Sequence, residues 1–297
     1  MSSALRPALL RLAAGLLCLL LVSGCSMVRV GYNQLDNVAA WMAHDYFDLE
    51  SAQRDQFAQR FEKLHAWHRH EELPEYARFL GDIRQRAARG LRTEDMLWVV
   101  DGFRQRYARI AARSAADAAD LLATLTDAQV EHVRKQLDKD NAKFVKEHRS
   151  DENEAARRRA ADRRALSQLR DWVGSLSDAQ EERIRILLRD VPLVDQLRHQ
   201  DRLRRQREFL DLLKLRRGER KAFAQKIGDW LQHWEAGREP AQARAFENSW
   251  RKRAEFYAAV DRMLTAEQRS HLLHRLQDFI DDFRQLAERP GAPAQTR

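Results

Sequence analysis

A chain of 297 residues with 53 Lys and Arg against 45 Asp and Glu, net +8, has room for one large domain or two small ones. Val, Ile and Thr number only 13, 6 and 5, too few β-branched side chains to furnish a sizeable sheet, which disfavours all-β and doubly wound α/β folds. A hydrophobic fraction of 44% suffices for a core and argues against wholesale disorder. Between residues 26 and 289 only Pro74, Pro192 and Pro240 can interrupt a helix. The expected fold is all-α, an elongated bundle of antiparallel helical hairpins.

Residues 1–24 read as a leader. Arg6 and Arg11 precede an apolar stretch from Leu12 to Val22, too short to span a bilayer, that ends in Val22-Ser23-Gly24-Cys25. Those four residues match the bacterial lipobox, in which the cysteine thiol is diacylated before cleavage on its amino side. Cys25 is thus the expected lipid attachment point, and its acyl chains, at about 0.8 kcal/mol per buried CH2, hold such a protein on a membrane. Cys18 lies within the leader, so the mature chain keeps no free thiol, which removes disulfides, thiol catalysis and cysteine-ligated metal. Ser26 rather than Asp after the cysteine implies the outer membrane of a Gram-negative envelope, with the folded part facing the periplasm.

A lipidated tether, residues 25–34, leads into an N-terminal helical region, 35–148. Leu35, Val38, Trp41 and Met42 stand at helical spacing, and an apolar stripe of this kind ordinarily packs on following helices, the alternative being contact with lipid headgroups. A repeated start signal then punctuates the chain. Leu125-Thr126-Asp127-Ala128-Gln129, Leu176-Ser177-Asp178-Ala179-Gln180 and Leu264-Thr265-Ala266-Glu267-Gln268 each form a capping box, with a looser version at Leu49-Glu50-Ser51-Ala52-Gln53. With Thr93 as a further cap, helices are expected to start near 50, 94, 127, 178 and 266. Breaks are expected at Gly90, Gly174, Pro192, Gly218 and Gly237 to Pro240. Residues 149–165, rich in arginine, read as a charged arm or linker before a C-terminal helical region, 166–288. The tail, 289–297, is expected to be disordered.

Few constellations carry chemistry. His65, His68 and Glu72 share a helix face and make a weak candidate for metal, although the spacing departs from H-E-x-x-H, no fourth ligand is suggested and Arg69 opposes a cation. A solvated or partly packed helix end before Pro74 accounts for them as well. His44, Asp45, Asp48 and Glu50 read as helix-end charges. No nucleophile motif, P-loop or dinucleotide fingerprint occurs, so neither enzyme activity nor a cofactor is expected. Basic stretches at Arg157 to Arg164, Arg198 to Arg207 and Lys214 to Lys221 would suggest nucleic acid in a cytosolic protein. On a lipid-anchored one they read as solvated helix faces, or as attraction to an anionic envelope partner.

Gly31-Tyr32-Asn33, Leu64-His65-Ala66-Trp67-His68 and Glu72-Leu73-Pro74-Glu75-Tyr76-Ala77, following the lipobox, resemble a functionally uncharacterised family of proteobacterial lipoproteins. That resemblance implies an all-helical lipoprotein and supplies no activity, ligand or catalytic residue. The Leu-Thr-x-x-Gln pattern also looks like the motif of small periplasmic helical chaperones of the Spy type. The expectation is a non-enzymatic, membrane-anchored protein mediating protein or envelope contacts. A membrane-tethered chaperone is the alternative, and a metal-dependent hydrolase at His65, His68 and Glu72 the remote one.

Overall fold

A computed structural model describes residues 27–149 and 151–288. The lipobox with Cys25, the leader and the tail from residue 289 lie outside the described residues. Within them the chain is helical without a strand: α1 (Met27–Asn33), α2 (Leu35–Phe47), α3 (Ser51–Trp67), a π-helical turn (His68–Glu72), α4 (Leu73–Ala88), α5 (Thr93–Leu122), α6 (Asp127–His148), α7 (Glu154–Val173), α8 (Asp178–Leu188), α9 (Asp195–Lys214), α10 (Arg220–His233), α11 (Pro240–Asp261) and α12 (Ala266–Glu288). The helix starts and the breaks agree with the capping and glycine signals. Gly90 and Gly174 take positive φ angles of 91° and 81°, a region open to glycine at little cost.

One detail of the starts differs: Thr93 is the first helical residue rather than the cap, and the Asp95 carboxylate accepts from the Arg92 N–H at 3.0 Å. In the looser box Glu50 sits at the cap of α3, where the Gln53 side chain accepts from its N–H at 2.9 Å. The helix expected to end before Pro74 does not end. The chain passes from α3 through the π turn into α4, the Leu73 N–H reaching back to the His68 carbonyl. Such an i→i+5 turn shifts the hydrogen-bond register just where Pro74 has no N–H to donate.

The capping glutamines do more than cap. Gln53 and Gln129, both buried, face each other across the starts of α3 and α6 and exchange amide hydrogen bonds at 2.6 and 3.2 Å. Each also donates to the carbonyl two residues before the other's cap: Gln53 to Thr124 at 3.1 Å, Gln129 to Asp48 at 2.8 Å. The same arrangement recurs between α8 and α12. Gln180 and Gln268 pair at 2.8 and 3.0 Å, Gln180 donating to the Met263 carbonyl at 3.0 Å and Gln268 to that of Ser175 at 2.7 Å. One local motif thus closes two junctions distant in sequence, each with approximate twofold symmetry.

Among the described residues two apolar clusters stand out. Leu49, Leu122, Leu125, Leu213, Phe223 and Ile227 centre the first, joining α3, α5, α9 and α10. Leu166, Ile184, Leu188, Phe256 and Val260 centre the second, joining α7, α8 and α11. The N- and C-terminal regions interleave, since α12 runs antiparallel along α4 and α10 packs on α5. Arg269 donates to the Ala87 carbonyl, Arg84 to that of Leu273 and Arg69 to that of Leu286, which fixes the α4–α12 register. In the stretch read as a charged arm or linker, α7 begins at Glu154 and packs on the bundle: Ala156 and Ala160 are buried, Arg157 pairs with Asp195 at 3.1 Å, and Arg158 donates to the Leu188 and Val191 carbonyls. Its alanines make the contact while its arginines cap neighbouring carbonyls, a division that an apolar count misses.

Candidate functional site

The first two helices, α1 and α2, turn a polar face inward. At 100° per residue, Arg29, Tyr32, Asn33, Asp36 and Ala43 fall on one side of α1–α2, and Met27, Val30, Val38, Trp41 and Met42 within an arc of about 120° on the other. Backbone bonds from Gln34 N–H to the Val30 carbonyl and from Val38 N–H to the Gln34 carbonyl carry the helical course across the junction. The polar side is fastened to the bundle. Arg29 pairs with Asp282 at 3.0 Å, Arg69 donates to Asn33 Oδ1 at 3.0 Å, and His65 Nδ1 meets the Asp36 carboxylate at 2.8 Å. His68 Nδ1 and the Tyr32 hydroxyl lie 2.9 Å apart, with the Tyr32 ring 4.6 Å from that of His65 and the Arg69 guanidinium 4.9 Å from the Tyr32 centroid.

The apolar side is open. Met27 is 75% exposed, Trp41 66%, Met42 57%, Val30 56% and Val38 44%. This corrects the expectation that the Leu35, Val38, Trp41 and Met42 stripe packs on following helices: of these four only Leu35 is partly covered, and α2 meets the core through Ala43 and Phe47. Isolated apolar residues on a surface need no explanation, but five on one arc form a patch. Among the described residues no helix is long and apolar enough to cross a membrane.

The residues weighed as metal ligands are dispersed among different partners. His65 goes to Asp36 and His68 to Tyr32, while Glu72 turns away to accept two parallel bonds from Arg109 Nε and Nη2, both 2.9 Å, on α5. Buried His65, Arg69 and Glu72 are therefore packing and pairing residues, not a solvated helix end. Among the described residues no group of three or more His, Cys, Asp or Glu side chains is placed to hold a metal ion. What separates the three is their partners, Asp36 on α2, Tyr32 on α1 and Arg109 on α5. Burial lowers the His68 pKa, partly opposed by the Glu72 charge, and burial raises that of Tyr32, so the pair is held as neutral imidazole and neutral phenol. Near the first helix end, Asp48 adopts φ +50° and closes α2 with its N–H on the His44 carbonyl, and Glu50 opens α3, consistent with a helix-end reading.

The basic stretches resolve into pins between helices. Asp201, buried on α9, receives Arg204 at 2.7 Å and Arg238 at 3.1 Å; burial pushes its carboxyl up, but these two guanidiniums outweigh that and hold it below the usual carboxylate range. Arg216 donates to the Leu125 carbonyl and pairs with Asp127, which also takes Arg217 at 3.0 Å. Arg220 binds Asp120. The signal that could have found the inward polar face is its spacing, since Arg29, Tyr32 and Asp36 repeat at three and four residues.

The clamp and the outward face lie mostly ahead of the segment that carries a family likeness. Neither the curated proteins nor the solved structures contain a match. A model of a family of unknown function, DUF6279, matches residues 45–240, more than half of the chain. The chain belongs to the DUF6279 family of unknown function.

Proposed function

We propose that this is a lipid-anchored, non-catalytic protein of a Gram-negative outer membrane whose helical bundle faces the periplasm and works through protein or envelope contacts. The observation that carries the reading is the outward apolar arc of α1–α2, which begins two residues after Cys25. An acyl-cysteine at that point delivers Met27 and Val30 to the headgroup boundary, and Trp41 is suited to it because its ring is apolar and its N–H polar. The clamp beneath then sets how the rest of the bundle stands on the membrane. The acyl chains supply the attachment, and the apolar arc adds a second contact that orients the bundle on the membrane. The Leu-Thr-x-x-Gln pattern is accounted for by capping and by the paired glutamines, and so lends no support to a chaperone role.

Cell fractionation of the Cys25→Ser variant tests the anchor: it should move to the soluble periplasmic fraction. In that background the purified chain should retain weak binding to phosphatidylethanolamine–phosphatidylglycerol vesicles, lost on adding Trp41→Ser and Met42→Ser. Full membrane retention of the chain carrying Cys25→Ser, Trp41→Ser and Met42→Ser together would refute the reading.

A further inference from the structure

A cavity of about 210 Å³ opens where α7, α9 and α11 meet the end of α6, and each of those three helices contributes one arginine to its wall: Arg164, Arg198 and Arg253. His148 and Tyr257 line it as well, above an apolar floor that includes Leu188 and Phe256. At other junctions arginines meet carboxylates, as Arg109 meets Glu72 and Arg238 meets Asp201, or donate to backbone carbonyls, as Arg84 and Arg158 do. Here the one carboxylate in the wall, Asp195, is already engaged by Arg157 at 3.1 Å. Among the described residues no carboxylate pairs with Arg164, Arg198 or Arg253. Arg253 donates weakly to Ser249 Oγ at 3.4 Å and Arg164 to the Glu147 carbonyl at 3.5 Å.

Three like charges converging on one cavity repel each other, and the half-buried Arg253 also gives up hydration, unless an anion joins them. Burial pushes Arg198 and Arg253 below the ordinary guanidinium value; Arg253 and Arg164 add to this at Arg198 against the opposing charge of Asp195, and Arg164 adds to it at Arg253 against Tyr257. Arg109, held by the Glu72 carboxylate, moves the opposite way. Planar guanidiniums present paired N–H donors matched to a tetrahedral oxyanion, and Tyr257 adds a hydroxyl.

We infer that the Arg164–Arg198–Arg253 cavity is a binding site for a phosphate group, either inorganic phosphate or a phosphorylated lipid headgroup whose organic part rests on the apolar floor. The cavity is large enough for a phosphate ester and too small for a folded partner. The inference stands whether or not Cys25 carries lipid, because the site is built wholly from the helical bundle.

The full-length chain in neutral detergent provides the test, read by calorimetric titration and thermal unfolding. Sodium phosphate should bind saturably and raise the melting temperature beyond sodium chloride of equal ionic strength, or micelles doped with phosphatidic acid should do so beyond phosphatidylcholine. Response to phosphate alone identifies the free ion, and response to phosphatidic acid alone identifies the headgroup; either supports the site. Removing one guanidinium, by Arg198→Gln or Arg253→Gln, should weaken binding by about ten-fold or more. Among the described residues Arg198 makes no ion pair that the substitution would break, so Arg198→Gln carries the comparison even if Arg253→Gln folds poorly. No saturable response to either probe, or equal binding by wild type and Arg198→Gln, would overturn the inference.

Discussion

Replacing Gln129 by Ala should show how much the paired glutamines contribute. The side chain accepts from the Thr126 N–H at 2.9 Å, donates to the Asp48 carbonyl at 2.8 Å, and exchanges bonds with the Gln53 amide at 2.6 and 3.2 Å. Taking three bonding partners at about 1 kcal/mol net each, less what water restores at the cap, Gln129→Ala should cost about 2–3 kcal/mol. Because Gln53 and Gln129 are buried against each other, the double variant should cost less than the sum of the singles, with a coupling of about 1 kcal/mol. Gln180→Ala acts on the other junction, shares no partner with the first, and should add to Gln129→Ala within about 0.5 kcal/mol. Urea unfolding measures all of these, with an unchanged m value marking a pure stability effect. A Gln129→Ala cost below about 0.5 kcal/mol, or strict additivity of Gln53→Ala with Gln129→Ala, would refute the reciprocal pairing.

Acidification should loosen the clamp. Because burial lowers the His68 pKa, the unfolded chain binds the proton more tightly than the folded one; this contribution is complete above the unfolded value of about 6.5 and is lost as pH falls from there through the depressed folded value. The melting temperature should therefore drop between pH 7.5 and pH 5 more steeply in wild type than in His68→Gln, and equal slopes would dismiss the role. Two glycine-to-alanine exchanges should have opposite signs. A Cβ on Gly102 would stand 2.4 Å from the ring of buried Phe79, itself enclosed by Trp98, Phe103 and Arg106, so Gly102→Ala should destabilise by about 1–2 kcal/mol despite its better helix propensity. Gly81 has nothing within 4 Å of that position, and Gly81→Ala should stabilise by about 0.5–1 kcal/mol in the same urea assay.

Local chemistry was enough to place most helix boundaries. A Thr or Ser hydroxyl three residues ahead of a Gln satisfies orphan N–H groups whatever the rest of the chain does, and Gly90 and Gly174 end helices because they accept positive φ. The all-α class followed from the scarcity of β-branched residues and prolines for the same reason. What the sequence left open was which face of each helix points inward. The Leu35 to Met42 stripe has the spacing of a core face, yet Arg29, Tyr32 and Asp36 take the inward side because Asp282, His68 and His65 wait there. Those partners lie up to 253 residues away, where no local pattern registers them. His65, His68 and Glu72 have the spacing of a shared face, and only the packed helices show that Asp36, Tyr32 and Arg109 each engage one of them. The two glutamine pairs and the three-arginine cavity likewise exist only once helices remote in sequence are packed together. Hydrogen bonds within a few residues specify where a helix starts and stops; burial and charge pairing between helices decide its orientation, and so which surface it offers to a membrane or a phosphate.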